Sequence, residues 1–115
     1  MSKEDQLRDA CEYCRLDEAK RLVNEGVDVE STDEDGETPL IWAARNGKVD
    51  IIRFLLDRGA NVDMKDSIIG FTALHCAAIN GNDEAARLLI ERGANLHMKN
   101  NRDHTPLDFA KRYNK

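Results

Sequence analysis

The sequence predicts an all-α fold, a solenoid of stacked helix–turn–helix units with projecting β-hairpin-like fingers, and two repetitions predict it. The phrases TPLIWAARNG from Thr38, TALHCAAING from Thr72 and TPLDFAKRYN from Thr105 lie 34 and 33 residues apart. A second mark runs in the same register, EGVDV, RGANV and RGANL around Gly26, Gly59 and Gly93, at spacings of 33 and 34. Self-similarity at this period is the signature of a solenoid, whose product is an elongated surface.

The unit from Asp33 to Asp66 shows how each element arises. Asp35-Gly36 is a turn signal, because glycine adopts positive φ without penalty. Thr38 is placed to cap a helix and Pro39 to open it, where a missing N–H costs nothing. Leu40, Ala43 and Ala44 share one face at 3–4 spacing, and Gly47 stops this short helix. A second helix is expected from about Val49 to Arg58, with Ile52, Leu55 and Leu56 inward and Gly59 as its C-terminal stop. Ala60 to Asp66 then leads into the next turn. The following unit carries one residue more in its finger, at the tip Ser67-Ile68-Ile69-Gly70.

The ends differ from the middle. Arg21 stands where the later units have Phe54 and Leu88, Glu18 where they have Ile51 and Ala85, and Asp9 where they have Trp42 and Cys76. Exchanging apolar for charged residues suits a terminal unit with no neighbour on one side. Lys111 likewise replaces Ala44 and Ala78. The expectation is one domain over 1–115, with a capping unit at 1–33, units at 34–66 and 67–100, and a truncated cap at 101–115, together a complete small array.

These residues resemble the ankyrin-repeat family. Its phrase D-x-x-G-x-T-P-L-H-x-A-A-x-x-G is matched by Asp33, Gly36, Thr38, Pro39, Leu40, Ala43, Ala44 and Gly47. Asp66, Gly70, Thr72, Leu74, His75, Ala77, Ala78 and Gly81 match it again, with the one-residue insertion. Leu55, Leu56, Gly59, Ala60, Asn61 and Val62 match the second-helix phrase, as do Leu89, Ile90, Gly93, Ala94, Asn95 and Leu96. Ile41 and Asp108 replace the motif histidine, Ala73 its proline and Asp103 its turn glycine, while Cys14 stands where a glycine should end the first helix. The resemblance implies paired helices with fingers projecting from one side. It also implies a protein-binding surface made of finger tips and a concave helix face, with no shared chemistry. His75 is then a framework residue that hydrogen-bonds within and between loops.

Composition narrows the partner. Residues 1–37 hold 13 acidic and 5 basic side chains, while residues 38–115 hold 9 acidic and 12 basic. An acidic third and the lack of a basic stripe disfavour nucleic acid. No apolar run approaches the roughly 18 residues that would span a bilayer, and the N-terminus has no signal-peptide pattern. Three cysteines, an odd number, fit a reducing compartment, so a cytoplasmic or nuclear monomer is expected.

No cofactor or metal is expected, nor catalysis. Cys11 and Cys14 form a C-x-x-C, but the pair lies towards a helix C-terminus, the wrong end of the dipole for a thiolate. Zinc would need two more ligands. A thiol-redox or metal role for this pair is one alternative, and a purely structural segment of a larger ankyrin-containing assembly is another. His97 and His104 have no nucleophile or carboxylate at a catalytic spacing. Trp42 occupies a normally packed position and reads as core.

The finger tips carry the binding expectation. Ile68, Ile69 and Phe71 cluster where the other fingers have Glu34, Asp35 and Glu37 or Arg102 and His104. Large apolar residues gain nothing in an exposed turn unless they fold back or meet a partner. Beside them, Arg45 and Asn46, then Ile79 and Asn80, are the outward positions that would line the concave face, with Arg112 and Tyr113 their equivalents in the last unit. The chain is therefore expected to be a non-enzymatic adaptor, scaffold or inhibitor. Its partner would offer basic residues beside an apolar anchor.

Overall fold

A computed structural model describes the backbone of residues 1–113 and the side chains of residues 1–110. Arg112 and Tyr113, expected as outward positions, lie outside the described side chains, and so does Lys111. Seven helices follow in order: α1 (Lys3–Tyr13), α2 (Leu16–Asn24), α3 (Pro39–Arg45), α4 (Val49–Asp57), α5 (Ala73–Ile79), α6 (Asp83–Glu91) and α7 (Pro106–Tyr113). They form two layers. In one, α1 packs on α3, α3 on α5 and α5 on α7; in the other, α2 packs on α4 and α4 on α6. The stack measures 42 × 26 × 21 Å. Among the described residues no helix is long and apolar enough to cross a membrane.

Local chemistry sets the helix ends. The Ile41 N–H donates to Thr38 Oγ1 at 3.2 Å, which caps α3 behind Pro39. Thr72 and His75 form a reciprocal capping box on α5. The first helices are only seven residues long in α3 and α5, too short to persist alone, so packing holds them. Cys14, flagged as a departure from glycine, adopts the left-handed conformation at φ 58°. Asp103, the other missing glycine, does the same at φ 60°.

The core runs between the layers. Leu7, Leu40 and Leu74 occupy one repeat position and are buried, as are Leu22, Leu55 and Leu89 at another. The inward face of α4 is turned slightly from the expected one. Ile51, Ile52 and Leu55 are fully buried, whereas Leu56 is only half-buried. The second helix also stops one residue earlier than expected, with Arg58 as its C-cap. In the first unit Arg21 is exposed and bridges Glu18 at 2.6 Å and Glu25 at 2.8 Å, so the charged replacements face solvent together.

The fingers are tight returns without strands, for no strand occurs among the described residues. The first closes through Asp33 N–H to Glu37 O at 3.1 Å, the second through Asp66 N–H to Phe71 O at 2.9 Å, and the third through Asn100 N–H to His104 O at 2.9 Å. Neighbouring fingers also join one another. The Ser67 N–H donates to Asp35 O at 2.8 Å, and the Asn101 N–H to Ile69 O at 2.6 Å. Gly36 is required at this junction. Its φ is +73°, and a Cβ there would lie 2.8 Å from the Ser67 nitrogen.

Candidate functional site

One aspartate or asparagine organises each finger. Asp33 Oδ1 accepts the N–H groups of Asp35 and Glu37, both at 2.9 Å. Asp66 Oδ1 accepts from Ile68, Ile69, Gly70 and Phe71 at 2.8–3.3 Å, which absorbs the inserted residue without opening the turn. Asn100 Oδ1 accepts from Arg102 and His104 at 2.8 and 3.0 Å. The tips are thereby rigid platforms.

The first finger is tied to α3 by a chain of side chains. Trp42 Nε1 donates to Asp33 Oδ2 at 3.2 Å, and the Arg45 guanidinium lies over the Trp42 ring at 5.2 Å while ion-pairing with Glu37. Trp42 is half-buried at the finger–helix junction, packed against the edge of the core. Burial pulls the Asp33 carboxyl upward, but the donors from Glu37, Trp42 and Asp35 outweigh it and hold it below the ordinary carboxylate value. Burial also lifts the Glu37 carboxyl, and there it prevails over the Arg45 guanidinium. Both acids are consumed internally. Glu34 and Asp35 remain exposed.

The second finger divides the expected apolar cluster. Ile68 is 61% exposed, Ile69 is half-buried, and Phe71 folds back. The Phe71 ring stacks on His75 at 5.6 Å and meets Phe109 edge-on at 5.7 Å. His75 is the hub: Nδ1 accepts from Thr72 N–H at 3.1 Å and Nε2 donates to His104 O at 3.0 Å. Burial holds its imidazolium form below the usual histidine value. His104 leans edge-on against Phe109 at 5.5 Å, so of the third finger's two site candidates only Arg102 is exposed.

The helix edge continues the strip. Asn46 Nδ2 donates to Trp42 O at 2.9 Å, and Asn80 Nδ2 crosses to Arg45 O at 3.0 Å, with half-buried Ile79 beside it. The fold therefore brings the acidic first finger and Ile68 side by side through the Asp35–Ser67 bond and adds Arg45, Asn46, Ile79 and Asn80 along one edge. It places Arg102 one finger further away. The sequence reading missed Asp33 as the acceptor for Trp42, and also Asn82, whose Nδ2 reaches Ala44 O at 3.1 Å and Arg45 O at 3.3 Å. An Asn-containing turn before a helix was the only signal for it.

The chemistry left to other clusters is slight. Asp33, Asp35 and Glu37 offer carboxylate oxygens within 4.8 Å of one another, but Asp33 already accepts three N–H groups and Arg45 neutralises Glu37. Burial pushes the Cys11 thiol up to about 12 and the Cys76 thiol to about 11, while Cys14 is exposed at its helix end. A thiolate at Cys11 is not populated near neutral pH.

Comparison with known proteins agrees with this architecture. The family model of ankyrin repeats (3 copies) matches residues 7–100 and, in an overlapping match, residues 66–115. The chain is 39% identical over 66 residues to the palmitoyltransferase Hip14 of Drosophila melanogaster, covering 57% of this chain and 10% of that protein. It is 41% identical over 66 residues to palmitoyltransferase ZDHHC17 of Homo sapiens, again 57% of this chain and 10% of that protein. For palmitoyltransferase ZDHHC13 of Homo sapiens the identity is 35% over 66 residues, 57% of this chain and 11% of that protein. The match thus spans about a tenth of the length of these curated relatives. With the repeat phrases, the two-layered helix stack and the family match all in one register, the chain belongs to the ankyrin-repeat family.

Proposed function

We propose that this chain is a protein-interaction module without catalytic activity, working as an adaptor, scaffold or inhibitor. It holds a partner segment along the finger row and the adjoining first-helix edge. The observation that carries this reading is the junction of the first two fingers. There an isoleucine that is 61% exposed stands beside the carboxylates of Glu34 and Asp35, which enter no ion pair among the described residues, on turns fixed by Asp33 and Asp66. An exposed apolar anchor on a rigid support, next to uncompensated charge, suits a partner with a basic residue beside an apolar one. Arg45, Asn46, Ile79 and Asn80 extend the same strip, and Arg102 supplies a different charge at its far end. The acyl-transfer activity named in the relatives is not carried over, since the matched 66 residues are about a tenth of each enzyme. A monomer in the cytoplasm or nucleus fits this reading.

The test is affinity capture from native lysate with the unaltered chain and with Ile68→Asp, followed by titration of the recovered protein. The expected outcome is a tenfold or greater loss of affinity in Ile68→Asp, the scale of an interface hot spot of about 1.4 kcal/mol or more. Melting temperature should stay nearly unchanged, because the Ile68 side chain is mostly exposed and the residue's bonds to Asp66 and Asn101 run through its main chain. Equal affinity would remove the second finger from the site.

A further inference from the structure

The finger tips are joined by one main-chain hydrogen bond per step, each running from an N–H of the later finger to a carbonyl of the earlier one. The donors are Ser67 and Asn101, and each directly follows the residue that organises its turn, Asp66 or Asn100. The first finger's matching donor is the N–H of Glu34, next to Asp33. That N–H has no acceptor among the described residues. In the later units the preceding finger lies against the next one through these bonds. Beside the first finger lies an open cavity of about 580 Å³, lined by Asp5, Arg8, Thr32, Asp33, Glu34 and Asp35.

Two further features describe what would fill it. Arg8 is only 7% exposed; its Nη2 donates to Asp5 Oδ1 at 2.6 Å, but its buried Nη1 has no acceptor. A buried donor left unpaired is costly, so the arrangement favours an incoming oxygen. The exposed carboxylates of Glu34 and Asp35 enter no ion pair among the described residues. The lining thus offers main-chain and guanidinium donors together with free negative charge. A phosphate-bearing ligand would be repelled, and a bare cation would leave both donors unmatched.

We infer that this cavity takes an extended, lysine- or arginine-bearing segment of a partner protein as an added finger. Its main-chain carbonyls accept from Glu34 N–H and Arg8, and its basic side chains meet Glu34 and Asp35. This is strand addition at an open edge, in which backbone bonds give affinity and alternate side chains give selectivity. The inference rests on reading the finger row as a binding surface, and it adds a second, edge-on site beyond Ile68.

The probe is a short fluorescein-labelled peptide of alternating lysine and threonine, read by anisotropy at low salt against the same peptide with glutamate for lysine. Two substitutions at one position separate charge from backbone. Glu34→Gln keeps the N–H, whereas Glu34→Pro removes it, and proline suits the second position of the turn closed by Gly36 N–H to Asp33 O. Saturable binding of the lysine peptide is expected, with Glu34→Gln weaker by about threefold and Glu34→Pro by about tenfold more. Arg8→Leu, which keeps a good helix former in α1, should weaken binding as well and serves if the proline variant fails to fold. Equal affinities for Glu34→Gln and Glu34→Pro, binding of the glutamate peptide, or no binding to the unaltered chain would each overturn the added finger. Capture through Ile68 is read separately, so a peptide that fails to bind removes this site alone.

Discussion

His75 shows how much one buried side chain can decide. Its two ring nitrogens tie α5 to its own cap and to the third finger, and its ring supports Phe71 and Phe109. Because burial lowers its folded pKa below the ordinary 6.5, the unfolded chain binds the proton more readily. The stability this contributes is complete above about 6.5 and is lost as pH falls from there through the lowered folded value. Urea unfolding at about pH 7.5 and about pH 5 should therefore show a drop in the unaltered chain that is smaller in His75→Gln; parallel curves would refute the assignment. Cys14 makes a second residue-scale case. A non-glycine residue at φ 58° is strained, so Cys14→Gly should raise stability by about 1 kcal/mol in denaturant titration. Its position was legible because the repeat itself asks for glycine there. The Trp42–Asp33 bond was not, since the indole N–H finds its acceptor only when the finger turns back over α3.

At the scale of the element, the first helices are held at both ends by different means. Thr38 and Pro39 open α3 locally, and their spacing alone announces it. Its last carbonyls are a different matter: a helix end leaves them without intrahelical partners. Asn82, from the turn before α6, donates to two of them, and Asn80 donates to one of the same pair. Asn82→Ala should then destabilise the protein by about 1 kcal/mol, because the Ala44 and Arg45 carbonyls each lose their bond from the next unit's turn while Gly47 N–H and Asn80 remain as partners. Thermal melts of the variant beside Asn24→Ala, an exposed asparagine at the end of α2, would expose a merely generic loss. Sequence could not show this bridge, which spans 37–38 residues.

Across the whole molecule, the same residue means different things at different places in the stack. The framework leucine is 0% exposed at Leu7, 1% at Leu40 and 2% at Leu74, but 40% at Leu107. Leu40→Ala should cost about 2–5 kcal/mol, and Leu107→Ala about 1 kcal/mol or less. Equal losses in chemical denaturation would mean that the last unit is packed as tightly as the middle ones. Each unit touches only its neighbours, so the middle of the array is where a cavity removes support on both sides.

The repeat period, the caps at Thr38 and Thr72, the stops at Gly47 and Gly59 and the two strained replacements at Cys14 and Asp103 were all determined by sequence, because each depends on a few adjacent residues. The inward face of α4 was nearly so; choosing Ile51 over Leu56 required knowing how α4 packs against α3 and against its neighbours α2 and α6. Tertiary structure alone decided which candidate side chains stay free for a partner. Phe71 and Glu37 were expected at the surface, yet one entered the His75–Phe109 cluster and the other paired with Arg45. Exposure is a property of what packs beside a residue, and those neighbours lie in other units of the stack.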